Sequence, residues 1–121
     1  MKIINNKIKE LLMVSALTAD TMDESITKTK RQDEIMNELK TLAKEKKTLI
    51  GRTLKFPCQD FYALYVILTV NSDTVGVRWI DYGDGLQDDR CGVSSNINLQ
   101  YAQEQIYWED SFAQIVSSNV Q

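Results

Sequence analysis

No glycine or proline occurs between Met1 and Ile50. These two residues are the strongest breakers of regular backbone, so a stretch this long without either is open to continuous helix. The apolar residues agree. Ile4, Ile8, Leu11 and Leu12 recur at helical spacing in the segment Lys2 to Leu17. Ile35, Leu39 and Leu42, flanked by Met36 and Ala43, do the same between Asp23 and Lys47. The intervening Thr18-Ala19-Asp20-Thr21 is rich in side chains that cap or turn a backbone. Residues 1–47 therefore read as two helices, a hairpin or arm, with Glu24 and Lys28 placed to pair at i,i+4. A narrow apolar stripe of this kind either packs on the chain's own sheet or joins a second copy. Its likeness to a coiled-coil seam favours assembly, and a homo-oligomer is expected.

After Gly51 the pattern changes. Arg52 to Phe56 reads as a short strand stopped by Pro57. Phe61 to Val70 is dense in aromatic and β-branched residues and apolar on both faces, which predicts a central, covered strand. Asn71-Ser72-Asp73 reads as a turn, and Thr74 to Asp81 as the returning partner, with Gly76 marking a bulge or bend. A glycine-rich loop follows, from Tyr82 to Gly92. Leu99, Ala102 and Ile106 then suggest a short helix over 98–105, and a second is expected over 110–116. The order predicts an α+β fold: N-terminal helices over 1–47, then a β-rich recognition domain over 51–121. That domain would be a small antiparallel sheet or half-barrel with short C-terminal helices.

Charge narrows the function. Residues 1–50 carry ten Lys/Arg and eight Asp/Glu, whereas residues 51–121 carry four and nine. Duplex binding needs several cations on one face, so general nucleic-acid binding is not expected of the sheet half. No apolar run reaches the roughly 20 residues of a membrane span. Asn5, Asn6, Lys7, Lys9 and Glu10 interrupt the N-terminal stretch where a signal peptide would be continuous. A cytoplasmic location follows as the expectation, with Cys58 and Cys91 as free thiols.

The chain has no histidine, which removes Ser-His-Asp and Cys-His mechanisms and most zinc sites. It has no G-x-x-x-x-G-K-[ST] loop. No catalytic residue, metal ligand or cofactor is assigned. The acidic cluster Asp81, Asp84, Asp88 and Asp89 reads first as a solvated turn-forming loop, then as a polar recognition surface, and last as an oxygen-ligand metal site. Arg78, Trp79 and Tyr82 precede it, Arg90 closes it, and Tyr107-Trp108 lies beyond. Aromatic faces and guanidinium groups in one place suit either a nucleotide pocket or a protein-binding hot spot. Trp79 alternates with Val75 and Val77 and belongs to the core. Tyr82, just past the strand, is the better exposed contact.

The stretch from Ile50 to Asp110, with its W-I-D-Y-G-D-G-L-Q-D-D-R run at Trp79 to Arg90, resembles small proteins of bacteriophages and mobile elements. In size and layout the chain is similar to the phage anti-Thoeris sponges. Those are non-enzymatic oligomers that sequester a cyclic ADP-ribose isomer made by a host TIR-domain enzyme. The resemblance implies a ligand pocket between subunits, inside the bacterial host cell. Tyr82 would stack on adenine, with Trp108 as a further aromatic contact. Arg78 and Arg90 would meet phosphate, and Asp89 with Asn96 would hold ribose hydroxyls. Two other readings stand beside it: an anti-CRISPR-type inhibitor that docks its acidic loop on a cationic host complex, and a small metal-dependent nucleotide-processing enzyme using the aspartates.

Overall fold

The computed structural model describes residues 1–58, 61–82 and 94–104. Helix α1 spans Lys2–Ser15 and α2 spans Met22–Glu45. The cap of α2 is local chemistry. Thr21 Oγ1 accepts from the Glu24 N–H at 3.1 Å, and the Glu24 carboxylate reaches back to accept from the Asp20 N–H at 2.9 Å. This is a variant of the capping box, in which two orphan N–H groups at a helix start are satisfied by side chains. The expected ion pair between Glu24 and Lys28 is not formed. The helix ends without glycine. Lys47 takes the left-handed conformation (φ 53°), and the Thr48 N–H bonds to the Ala43 carbonyl at 3.0 Å, as in a Schellman motif.

Four strands follow: β1 (Thr53–Cys58), β2 (Phe61–Val70), β3 (Thr74–Asp81) and β4 (Ser94–Asn98). They form an antiparallel meander in the order β1-β2-β3-β4. The architecture is the expected α+β. Two details differ from expectation. Strand β1 runs through Pro57, which pairs with Tyr62; β1 is an edge strand, where a residue lacking an N–H is tolerated. Strand β4 falls where the sequence suggested no element, since Ser-Ser-Asn-Ile-Asn contains one apolar residue. Residues 99–104 are helical, and the Asn98 side chain accepts from the Tyr101 N–H at 3.1 Å. The helix expected over 110–116 lies outside the described residues.

The irregularity predicted at Gly76 is present, with the extra residue on the neighbouring strand. Ile67 pairs with Val77 but Thr69 pairs with Gly76, so Leu68 is the inserted residue of a bulge.

Both faces of β2 are covered. Leu64 and Val66 join Ile80, Ile4, Ile8, Leu11, Ile35 and Leu39 in one core between helices and sheet. On the opposite face Tyr65 and Ile67 pack with Leu54, Val75, Val77 and Ala102, with Trp79 against them. The Tyr65 and Trp79 rings lie 4.7 Å apart, tilted by 57°. The helical segment is thus a layer on the sheet rather than a free arm, and its apolar stripe is occupied by its own chain.

One polar side chain crosses this core. Gln32 is fully buried, and its Nε2 donates to Ser15 Oγ at 3.0 Å and to the Asp81 carbonyl at 2.6 Å. It ties α1, α2 and the end of β3 together. Gln32→Leu removes the donor from two acceptors in the core, and such a loss costs about 1–3 kcal/mol. The urea midpoint of the variant should fall accordingly, with the slope of the transition unchanged.

Outside the core, an ion-pair chain links the two helices. Lys7 meets Glu10 at 3.1 Å and also Glu38, while Arg31 meets Glu34 at 3.1 Å and also Glu10. The Lys7 hydrogen bond holds the Glu38 carboxyl below its ordinary range. A carboxyl with a depressed folded-state pKa stabilises the fold above its ordinary range, and that contribution is lost as pH falls through the depressed value. Glu38→Gln should therefore flatten the acid limb of the stability profile slightly, and more in low salt than in high salt.

Candidate site on the sheet face

Side chains alternate across a strand, so Gly76, Arg78 and Ile80 of β3 share one face. It is the face the helices cover further along, since Arg78 pairs with Val66 and Ile80 lies in the helix–sheet core. Beyond the reach of the helices the face opens. Gly76 pairs with Asn96, and Arg78 with Ser94. A depression of about 260 Å³ lies here, lined by Leu68, Thr69, Gly76, Ser94 and Asn96 among others.

The bulge and the glycine make this depression. At Gly76 a Cβ would collide with Thr69 Oγ1 and stand 3.6 Å from Asn96 Oδ1. Only a residue without a side chain leaves the floor open while Thr69 keeps its place. The walls carry hydroxyls and an amide, groups that both donate and accept hydrogen bonds. Arg78 borders the depression through its register partner Ser94. It is half-buried, and no hydrogen bond or ion pair joins it to any described residue. A partly desolvated guanidinium bonded to none of the described residues is suited to a phosphate or carboxylate.

Of the residues the sequence singled out, the structure brings Arg78 and Asn96 together. Tyr82 is elsewhere. It is half-buried, packs against the helix–sheet core and donates its hydroxyl to Asp33 Oδ1 of α2 at 2.7 Å. The expectation of an exposed contact is corrected here: the alternation that places Ile80 in the core places Tyr82 beside it. Six residues of strand separate Tyr82 from Gly76, roughly 20 Å at the rise of a β-strand. The two positions therefore stand at opposite ends of β3. Asp89, Arg90 and Trp108 lie outside the described residues, as do Asp84 and Asp88. Asp81 is buried, and its carbonyl is the one bound by Gln32. No cluster of metal-ligating side chains occurs among the described residues, and no described helix is long and apolar enough to cross a membrane.

Sequence reasoning missed Thr69, Ser94 and Gly76 as parts of one site. Gly76 was the available signal, since a lone glycine in a strand marks a bulge or a close approach. The pairing of β4 that completes the site was not legible in its polar sequence. In comparisons with family models, curated proteins and solved structures, the chain matches none.

Proposed function

We propose that the protein is a non-enzymatic binding protein that sequesters a small, anionic, nucleotide-derived ligand. The observation that supports this reading is the half-buried Arg78, joined to no described residue by a hydrogen bond or ion pair, beside a depression that is floored by Gly76 and carries hydroxyls and an amide in its walls. Arg78 meets a phosphate, and Ser94, Asn96 and Thr69 serve the hydroxyls of a ribose. The resemblance to anti-Thoeris sponges supplies the ligand class, a cyclic ADP-ribose isomer, and with it a counter-defence role of a phage protein inside a bacterial cell. In the inter-subunit form of that reading, two copies contribute different residues to one pocket.

The test is recovery of intact ligand. The protein is mixed with a cyclic ADP-ribose isomer, separated from free ligand and denatured, and the released molecule is analysed. Unchanged ligand is the expected result. A cleaved product would favour the enzyme reading, and retention of no nucleotide alongside a stable complex with a host effector would favour the inhibitor. Arg78→Gln should weaken binding at least about tenfold, as expected for loss of a charge-assisted hydrogen bond, with an unchanged circular dichroism spectrum. Tyr82→Ala would also remove core packing, so its loss of binding would not isolate a ligand contact.

A further inference from the structure

Strand β4 forms one edge of the sheet, and one bond fixes the direction of its backbone groups. The Leu99 N–H donates to the Asp73 carbonyl at 2.9 Å. That pair is the next step of the β3–β4 register beyond Thr74 and Asn98. Along an antiparallel ladder, bonded and non-bonded pairs alternate. Ile97 and Ser95 therefore turn their N–H and C=O groups to β3, and Ser94, Asn96 and Asn98 turn theirs outward. No backbone bond to any described residue closes these outward groups, and all three residues are exposed.

Proteins commonly guard such an edge with a charge or a proline. The opposite edge, β1, contains Lys55 and Pro57, whereas β4 contains no charge and no proline. An uncharged strand meets its own copy without repulsion. Its outward groups are also self-complementary. A twofold axis at Asn96 sets Asn96 against Asn96 of a second copy, and Ser94 against Asn98 of that copy. Each such pair exchanges two backbone hydrogen bonds.

The same edge bounds the depression, whose lining on β4 includes Ser94 and Asn96. One depression of about 260 Å³ is smaller than the roughly 300–1,000 Å³ of small-molecule sites. Around this axis the two sheets become one, and both depressions open on the same face. Their Gly76 floors then lie three strand spacings apart, roughly 14 Å.

We propose that β4 pairs antiparallel with β4 of a second copy, and that the two depressions, side by side, make up the ligand site. Asn98 of the second copy comes to stand beside Ser94 at the rim. The ligand part rests on the sheet-face reading, and the pairing is measured without it.

The contact is small and polar, so the dimer should be weak, in the micromolar to millimolar range. Sedimentation of the full chain up to millimolar concentration should show a monomer–dimer equilibrium. Asn96→Pro should abolish it with an unchanged circular dichroism spectrum, because the lost N–H points away from β3. If that variant does not fold, Asn96→Lys serves, since it sets two ammonium groups opposite each other. Register is read by cysteine cross-linking, with Cys58 and Cys91 replaced by serine. Paired Asn96 Cα atoms lie about 5.5 Å apart, within reach of a disulfide, so Asn96→Cys should oxidise to a covalent dimer. Ser94 lies roughly 13 Å along the strand from its own copy, so Ser94→Cys should stay monomeric. A monomer at every concentration would overturn the proposal, as would a dimer untouched by the folded Asn96 variant or equal cross-linking at both positions. Addition of a cyclic ADP-ribose isomer should shift the equilibrium toward dimer. A dimer indifferent to it would sink the ligand reading and leave the pairing; ligand bound by a monomer would do the reverse.

Discussion

Leu39→Ala is expected to lower the unfolding free energy by about 2–5 kcal/mol, the range for truncating a large aliphatic side chain in a closed core. Leu39 is fully buried in the core shared by α1, α2 and the sheet. Its neighbours Ile4, Ile35, Leu64 and Val66 are fully buried as well, so the site has little room to collapse around the missing atoms. The position of this core makes the variant a test of organisation. If the helices were an independent arm, the substitution would melt helix and leave the sheet intact. In the structure they share one core, so both should be lost in a single transition. Far-UV circular dichroism reports the helices, and the fluorescence of Trp79, in a Trp108→Phe background, reports the sheet. The two curves should shift together. A sheet transition left in place while the helical signal falls would show that the layers are energetically separate.

The same core explains how much of the fold was legible beforehand. The helical period selected Ile4, Ile8, Leu11 and Leu12 and then Ile35, Leu39 and Leu42; the structure buries all of them but Leu12 and Leu42, which pack half-buried against the same core. The strands β2 and β3 were equally plain, because Phe61 to Val70 is apolar on both faces and both faces are covered. The pattern did not say against what the helical stripe packs. A stripe facing a sheet and a stripe facing a second copy use the same residues at the same spacing, and register across tertiary contacts leaves no local trace. Polar Gln32 sits in that stripe because it satisfies Ser15 and the Asp81 carbonyl, partners distant in sequence. Strand β4 escaped for a related reason: its ladder is supplied by β3, and its own composition is that of a turn. The candidate site inherits this limit. Arg78 was visible as a cation near aromatic residues, but its nearness to Asn96 depends wholly on the β3–β4 register.

Gly51→Ala is the second substitution expected to be severe, at about 2–6 kcal/mol. Gly51 joins the helical layer to the sheet, and its N–H donates to the Ile67 carbonyl at 2.8 Å. Its φ of +93° is a conformation that side-chain-bearing residues rarely adopt, at a cost of about 1–3 kcal/mol. A methyl group there would also stand 3.0 Å from Ile4 Cγ2 and 3.2 Å from Leu39 Cδ2. Both neighbours are fully buried, so neither retreats freely, and overpacking of this kind adds about 1–3 kcal/mol. The two contributions separate in a double-mutant cycle. In a Leu39→Ala background the Cδ2 atom is absent, so part of the crowding is relieved and part of the cavity is filled. The backbone strain remains, as does the contact with Ile4. The double variant should therefore be less destabilised than the sum of the single variants, by the 0.5–3 kcal/mol typical of residues in contact. It should still be clearly less stable than Leu39→Ala alone. Strict additivity in urea denaturation would show that the contact with Leu39 adds nothing to the cost at Gly51, which would then rest on backbone strain and the contact with Ile4.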